Sequence, residues 1–237
     1  MVTIVADSYE HMSSTAAEMA AGYINANKGA LLCFAAGETP KGMFRALIAM
    51  QREGAVNLSD VFYAGLDEWA GLGYNDAGSC AQVMNDEFYA PAMIDPDRVH
   101  VFDGLDRDMQ AQCHAMEGWI DGRGGIGLAV LGVGMNGHIG FNEPGAPDIP
   151  GCFTVRLDDT TKRVSSKYFG RERAVEEGIT ISWRTLKLAR RVILMASGGG
   201  KADVVRAMLA RPNDPSLPAS LLLGHPGLTI LIDRDVI

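Results

Sequence analysis

The chain has 237 residues, 47% hydrophobic and 21% charged, with 21 Lys and Arg against 29 Asp and Glu for a net charge of −8. That length suits one α/β domain over residues 1–237 with a continuous core, and the composition excludes disordered and collagen-like architectures. The acidic balance argues against a nucleic-acid binder, which needs a basic face, while leaving room for one small anion held by local cations.

The opening MVTIVADSYEHMSS has no basic start and no long apolar run, so neither a secretory leader nor a membrane span is expected. Apolar, β-branched runs then alternate with stretches of helical period. The predicted strands are Val2–Val5, Leu31–Ala35, Val61–Leu66, Val99–Phe102, Ile126–Leu131, Val192–Ala196 and Leu228–Ile232. The predicted helices between them are Ser13–Asn27, Pro40–Glu53, Ser79–Tyr89, Asp106–Ile120 and Lys201–Ala210. Thr39 before Pro40 reads as an N-cap followed by proline in the first turn, and Asp106 and Gly198–Gly200 are expected to open their helices similarly. Strands alternating with helices give βαβ crossovers and a mostly parallel, Rossmann-like sheet flanked by helices. Cys33, Cys80, Cys113 and Cys152 are widely spaced with no C-x-x-C pair, and read as reduced, buried thiols of a cytoplasmic protein.

In such a sheet ligands bind beyond the carboxyl ends of the strands. Three of those ends carry unusual chemistry: Ala36-Gly37-Glu38-Thr39-Pro40, Asp67-Glu68-Trp69, and the run from Gly132 to Pro144. Gly132, Gly134 and Gly137 match G-x-G-x-x-G after a strand. The residues that follow, His-Ile-Gly-Phe-Asn-Glu-Pro-Gly, cannot sustain the helix that a dinucleotide site requires. Asp67 and Glu68 end an apolar strand, where a carboxylate is either a helix cap or a general base. His138 and Glu143 share a loop bounded by glycine and proline and could form a hydrogen-bonded acid/base pair. There is no H-E-x-x-H and no third ligand near His138, so no metal is expected.

Ser197-Gly198-Gly199-Gly200-Lys201 fails the nucleotide phosphate-loop pattern but leaves a glycine turn feeding a helix, with a lysine in its first turn, suited to a single phosphate. The turn at Gly37–Thr39 is a second such place. Between Arg156 and Arg173, Lys162, Arg163, Lys167 and Arg171 join the two terminal arginines against only Asp158, Asp159 and Glu172. That basic excess reads either as a surface helix or as a lid over an anionic substrate, around residues 151–175.

Gly37-Glu38-Thr39-Pro40, Leu66-Asp67-Glu68-Trp69 and the long Gly132–Pro144 motif together resemble the glucosamine-6-phosphate deaminase (glucosamine-6-phosphate isomerase) family, in order along nearly the whole chain. The resemblance implies the α/β fold of sugar-phosphate deaminases, isomerases and lactonases. It also implies conversion of glucosamine 6-phosphate to fructose 6-phosphate and ammonia, without cofactor or metal. By position it implies Asp67 as the base that moves a proton between carbons 2 and 1, His138 as the ring-opening acid/base and Glu143 as its carboxylate partner. Asn136 falls where many members carry an aspartate, leaving Glu143 as the only charge in the relay. The phosphate would be held by Gly37, Glu38, Thr39, Lys201 and the lid residue Lys167, which stands where arginine is usual.

Trp69 replaces the common tyrosine, and the motifs are also similar to those of related galactosamine-6-phosphate deaminases, which would give tagatose 6-phosphate. The resembling lactonases usually read Asp-Glu-Arg at the second motif and lack Phe-Asn-Glu-Pro, which this chain has at 141–144. A sugar-phosphate sensor would show a further basic domain or a damaged catalytic set. The expected partner is thus a small amino-sugar phosphate, with no nucleic acid and no membrane, and both a monomer and a homo-oligomer are compatible with the sequence.

Overall fold

In the computed structural model, residues 1–169 and 175–237 are described, except for the side chains of residues 166–168. The chain forms ten strands and seven α-helices among these residues. In order they are β1 (Val2–Ala6), α1 (Tyr9–Ala26), β2 (Leu31–Phe34), α2 (Lys41–Arg52), β3 (Phe62–Gly65), β4 (Asp67–Trp69), α3 (Cys80–Met84), β5 (Val99–His100) and α4 (Met109–Asp121). Then follow β6 (Ile126–Gly132), β7 (Cys152–Arg156), α5 (Asp159–Phe169), β8 (Glu177–Ile181), α6 (Trp183–Leu186), β9 (Arg191–Ala196), α7 (Ala202–Ala210) and β10 (Leu228–Asp233).

Seven strands make one parallel sheet in the order β1-β10-β9-β6-β2-β3-β5. These are the seven strands expected from the apolar runs, with ends shifted by a residue or two. The central strands are buried on both faces, which is why they read as unbroken hydrophobic stretches. Alternation along β2 sends Leu32 and Phe34 into a core shared with α1 and α2, and Leu31 and Cys33 into one shared with α4 and α7.

A second, antiparallel sheet in the order β4-β8-β7 lies outside the expected elements. Its strands are three to five residues long, and β4 begins with two carboxylates, so no apolar run announces them. The chain leaves the parallel sheet at Leu66, whose carbonyl accepts from the Ile181 amide, and Asp67 is the first residue of the new strand. The segment read as a lid is built of β7 and α5, and its remainder, residues 170–174, falls outside the described residues.

Several predicted helices differ from expectation, two at their starts and one in helix type. Pro40 rather than Thr39 is the N-cap of α2, and no side chain caps that end. Asp108, not Asp106, caps α4 by accepting from Ala111, while Asp106 braces the preceding turn through the Asp108 amide and Gln112. Past Met84 the predicted helix Ser79–Tyr89 widens into a π-helical turn over Asn85–Tyr89. No described helix is long and apolar enough to cross a membrane.

Candidate active site

The carboxyl ends of β2, β3 and β6 open into one cleft of ≈ 140 Å³, closed on its outer side by the antiparallel sheet and α5. Asp67, Trp69, Cys80, His138, Phe141 and Thr161 line it, and the backbone of Ala35–Gly37, Gly132, Gly134 and Gly140 forms its floor. Two of these glycines, Gly134 and Gly140, are required by space. A Cβ on Gly134 would lie 2.3 Å from the His138 ring, and one on Gly140, at φ +53°, would lie 3.2 Å from the Asp67 carboxylate. The Gly132–Gly137 stretch is a tight loop, with the Gly134 amide bonded to the His138 carbonyl, and no helix follows it.

Asp67 and Glu68 point to different fates. Glu68 is buried and accepts from the amides of Trp69 (2.9 Å), Cys80 (2.9 Å) and Ala81 (2.8 Å), tying the start of α3 to β4. Burial raises its carboxyl to about 7, against those three N–H groups, which favour the charged form. Asp67 has no such amides. Burial lifts it to about 6, opposed by the positive charge that His138 can carry and by the Cys80 thiol. It is therefore a carboxylate near neutral pH whose proton affinity is well above that of an exposed aspartate, as a general base needs. The Cys80 thiol is itself raised well above its ordinary value by burial and by the two carboxylates, so it stays a protonated donor.

On the other wall, His138 Nδ1 lies 3.0 Å from Thr161 Oγ1 and 3.4 Å from Glu143 Oε2. Burial pushes Glu143 up, but hydrogen bonds and charge from His138, with bonds from Thr161 and Asn136, outweigh it and hold the carboxyl below its usual range. Asn136 donates from Nδ2 to Glu143 (2.9 Å) and Asp158 (3.2 Å), and its carbonyl accepts from the His138 amide (3.2 Å). Buried Asn142 fixes the rest of the loop by donating to Ile139 and Ile181 carbonyls and accepting from Trp183. Asp67 and His138, 71 residues apart in sequence, thus line one cleft, with Glu143 and Asn136 backing the imidazole from behind.

The residues expected around a phosphate are more dispersed. Gly37 lines the cleft, whereas Glu38 and Thr39 line an adjoining depression with Tyr9, Lys41, Arg45 and Ser197. The Glu38 side chain is exposed and paired with Lys41 at 2.8 Å, so an anion at this turn would meet backbone rather than that carboxylate. The Lys201 ammonium reaches across to donate to the Val133 carbonyl at 2.7 Å, bracing the loop after β6. Gly198 gives its amide to buried Asp233, which also accepts from Ser197. The Lys167 side chain lies outside the described residues.

Thr161, Asp158 and Cys80 escaped the sequence reading. The first two sit in the segment singled out for its basic residues, and their short polar side chains carried no signal of their own. Trp69 packs against Phe141 with the rings tilted at 4.4 Å and meets Phe169 edge-on at 5.3 Å, forming the aromatic wall. Among the described residues no cluster of three His, Cys, Asp or Glu side chains could hold a metal ion.

A parallel α/β sheet with a raised carboxylate and a carboxylate-backed imidazole in one cleft over its strand ends is an arrangement suited to moving protons on a small polar substrate. The chain belongs to the family of glucosamine-6-phosphate isomerases/6-phosphogluconolactonase, whose profile matches residues 5–231. It is 33% identical over 236 residues to a glucosamine-6-phosphate deaminase of Alkaliphilus oremlandii, covering 99% of this chain and 98% of that one. It is 34% identical over 236 residues to glucosamine-6-phosphate deaminase 1 of Bacillus subtilis, with the same coverage. A solved structure described as a monomeric glucosamine-6-phosphate deaminase superposes with a TM-score of 0.95 at 33% identity, covering 100% of this chain and 98% of that one. The 6-phosphogluconolactonase of Thermotoga maritima shares the fold, with a TM-score of 0.77 at 18% identity and 98% coverage of both chains.

Proposed function

We propose that this protein is an amino-sugar-6-phosphate deaminase of the cytoplasm, formed by a single domain, that converts glucosamine 6-phosphate and water to fructose 6-phosphate and ammonia. The observation that carries the reading is the pairing of Asp67, lifted to about 6, with the Glu143-backed His138 in one cleft. Relatives that bear this name and align over the full chain support it.

The substrate is a cyclic hemiacetal, so its ring must open first. His138 takes the proton of the anomeric hydroxyl and returns it to the ring oxygen, freeing the aldehyde at carbon 1. Asp67 then removes the proton on carbon 2, which is acidic only because it lies alpha to that aldehyde, and the aldehyde oxygen takes a proton from the substrate's ammonium, giving an amino-enol. The same carboxyl delivers the proton to carbon 1, leaving an iminium at carbon 2. Water adds there, the nitrogen is protonated and ammonia leaves, giving the ketose. The phosphate is held by the Gly37–Thr39 turn and by Lys201 and Lys167, with Lys201 turning from the Val133 carbonyl toward the anion. Asn136 orients Glu143 as a neutral donor.

The test is ammonia release from the purified protein supplied with glucosamine 6-phosphate and, separately, its galactosamine epimer. Release selective for glucosamine is the expected result. Selectivity for galactosamine would keep the chemistry and change the sugar, with the Trp69–Phe141 wall as the first place to look for the cause. Folded protein that releases ammonia from neither would overturn the reading.

A further inference from the structure

Thr161 stands between the two members of the imidazole pair. It is a buried residue of α5, and its Oγ1 is 3.0 Å from His138 Nδ1, closer than the 3.4 Å to Glu143 Oε2. The same hydroxyl lies beside Glu143 and helps to hold its carboxyl below the usual range. A hydroxyl has one hydrogen to give and lone pairs to accept with, so it can take Nδ1–H and pass its own hydrogen to the carboxylate. One residue before α5, Asp158 accepts from Asn136 at 3.2 Å and from the Thr160 amide at 2.8 Å, which caps the helix. The start of α5 is thus fastened to the catalytic loop at two points, one on the imidazole and one on the amide that orients its carboxylate.

We propose that Thr161 is a positioning residue that holds the hydrogen of His138 on Nδ1, through the chain Nδ1–H to Thr161 hydroxyl to Glu143, and that it does so only while the start of α5 is seated. This rests on the deaminase reading for its consequence but not for its geometry. Ring opening needs one nitrogen that first accepts and then returns a proton. That nitrogen must face the cleft with a free lone pair, which is Nε2 only if the resting hydrogen is on Nδ1. With Glu143 alone, at the longer distance, the ring would be free to rotate and to rest with its hydrogen on Nε2, where it cannot accept. The covering segment is therefore part of the acid/base machinery as well as a wall.

Two measurements test this. In the unmodified protein, histidine ¹⁵N resonances above the imidazole titration should show His138 as the Nδ1–H tautomer, its signal assigned by loss in His138→Gln. A dominant Nε2–H tautomer overturns the proposal. Thr161→Val, nearly isosteric, should shift the tautomer toward Nε2–H and lower kcat roughly 10-fold with KM within about 3-fold, a fraction of the 10²–10⁴-fold that general acid–base catalysis supplies. Thr161→Ser should restore both the tautomer and most of the rate. Equal tautomers and rates in the threonine and valine proteins, or a serine protein as impaired as the valine one with the same melting temperature, would overturn it. If the valine protein fails to fold, the tautomer of the unmodified protein still decides. Ammonia release that is absent from a parent with the Nδ1–H tautomer would count against the deaminase reading alone, and an Nε2–H tautomer in an active enzyme against this proposal alone.

Discussion

The parallel and the antiparallel sheet solve different problems. In the parallel sheet the central strands bury aliphatic side chains on both faces, and no residue of β6 carries a charge. In the antiparallel sheet every strand is short, and β4 carries two carboxylates side by side. Asp67 is paired in register with Thr180, whose hydroxyl spends its bonds on backbone at Leu66 and Ile181. The first sheet supplies a rigid platform by burial, and the second hangs functional groups over its edge at the cost of desolvating them. Asp67 and Glu68 repeat the contrast at the scale of one peptide bond, since one has its charge met by three amides and the other does not.

The largest expected effect falls on Asp67. Asp67→Asn should lower kcat by on the order of 10²–10⁴-fold, because an amide cannot take the carbon-2 proton. The same change should stabilise the fold at neutral pH. An aspartate raised from 3.8 to about 6 costs nothing below about pH 4, where it is protonated both folded and unfolded. The cost grows as pH rises through about 6, to about 1–3 kcal/mol, and the amide avoids it. Melting curves from pH 4 to 8 should therefore show the variant gaining on the parent as pH rises, while kcat/KM of the parent falls as pH drops below about 6. An inactive variant that is also less stable throughout would make Asp67 a structural residue and dissolve the contrast between the sheets.

A platform residue should behave in the opposite way. Leu128, at the start of β6 and away from the cleft, is 1% exposed. Leu128→Ala should cost about 2–5 kcal/mol in denaturant unfolding, while the folded fraction keeps kcat and KM within a few-fold. A kinetic loss as large as that of Asp67→Asn would mean that the sheet is not the passive support that its burial suggests.

Glu68→Gln sharpens the comparison between neighbours. The amide presents an NH₂ to one of the three backbone donors that the carboxylate now satisfies, so one buried N–H loses its partner. That loss, about 1–3 kcal/mol, works against the gain from removing a carboxylate that burial raises to about 7, so stability at neutral pH should rise less than for Asp67→Asn, with a smaller loss of kcat transmitted through α3 and Cys80. Thermal melts beside steady-state rates separate the two carboxylates. Asp67→Asn moves rate down and stability up, while Glu68→Gln, whose lost amide partner offsets that gain, leaves both closer to the parent.

These two residues also mark how far the sequence could be read. Seven strands were legible because two-sided burial writes itself as uninterrupted apolar runs, and Leu31–Phe34 or Ile126–Gly132 could hardly be anything else. Asp67, His138 and Glu143 were legible because charged residues stand out at strand ends and among glycines. The antiparallel strands were not, since Asp67–Trp69 and Cys152–Arg156 mix polar and apolar residues over too few positions to show a period. Thr161 was illegible for a related reason. It meets His138 only because β7 and β8 pair and swing α5 over the loop, a contact between residues 23 apart that no local pattern encodes.

The smallest predicted effect concerns a charge that has changed place. The family resemblance leads one to expect an aspartate at 136, yet this chain has an asparagine whose amide donates to both Glu143 and Asp158. Restoring the expected residue by Asn136→Asp would replace a double donor with a third carboxylate facing two others. It should therefore impair this protein, with a stability loss that shrinks as pH falls and the carboxyls protonate. If Asp158 is the reason, adding Asp158→Asn supplies a donor in return, and the pair should recover a coupling energy of about 0.5–1.5 kcal/mol in a double-mutant cycle. Additive losses would mean that position 158 serves only to cap α5. Recovery would mean that the carboxylate has moved from the loop to the covering helix, tying the charge balance of the imidazole relay to the seating of that helix.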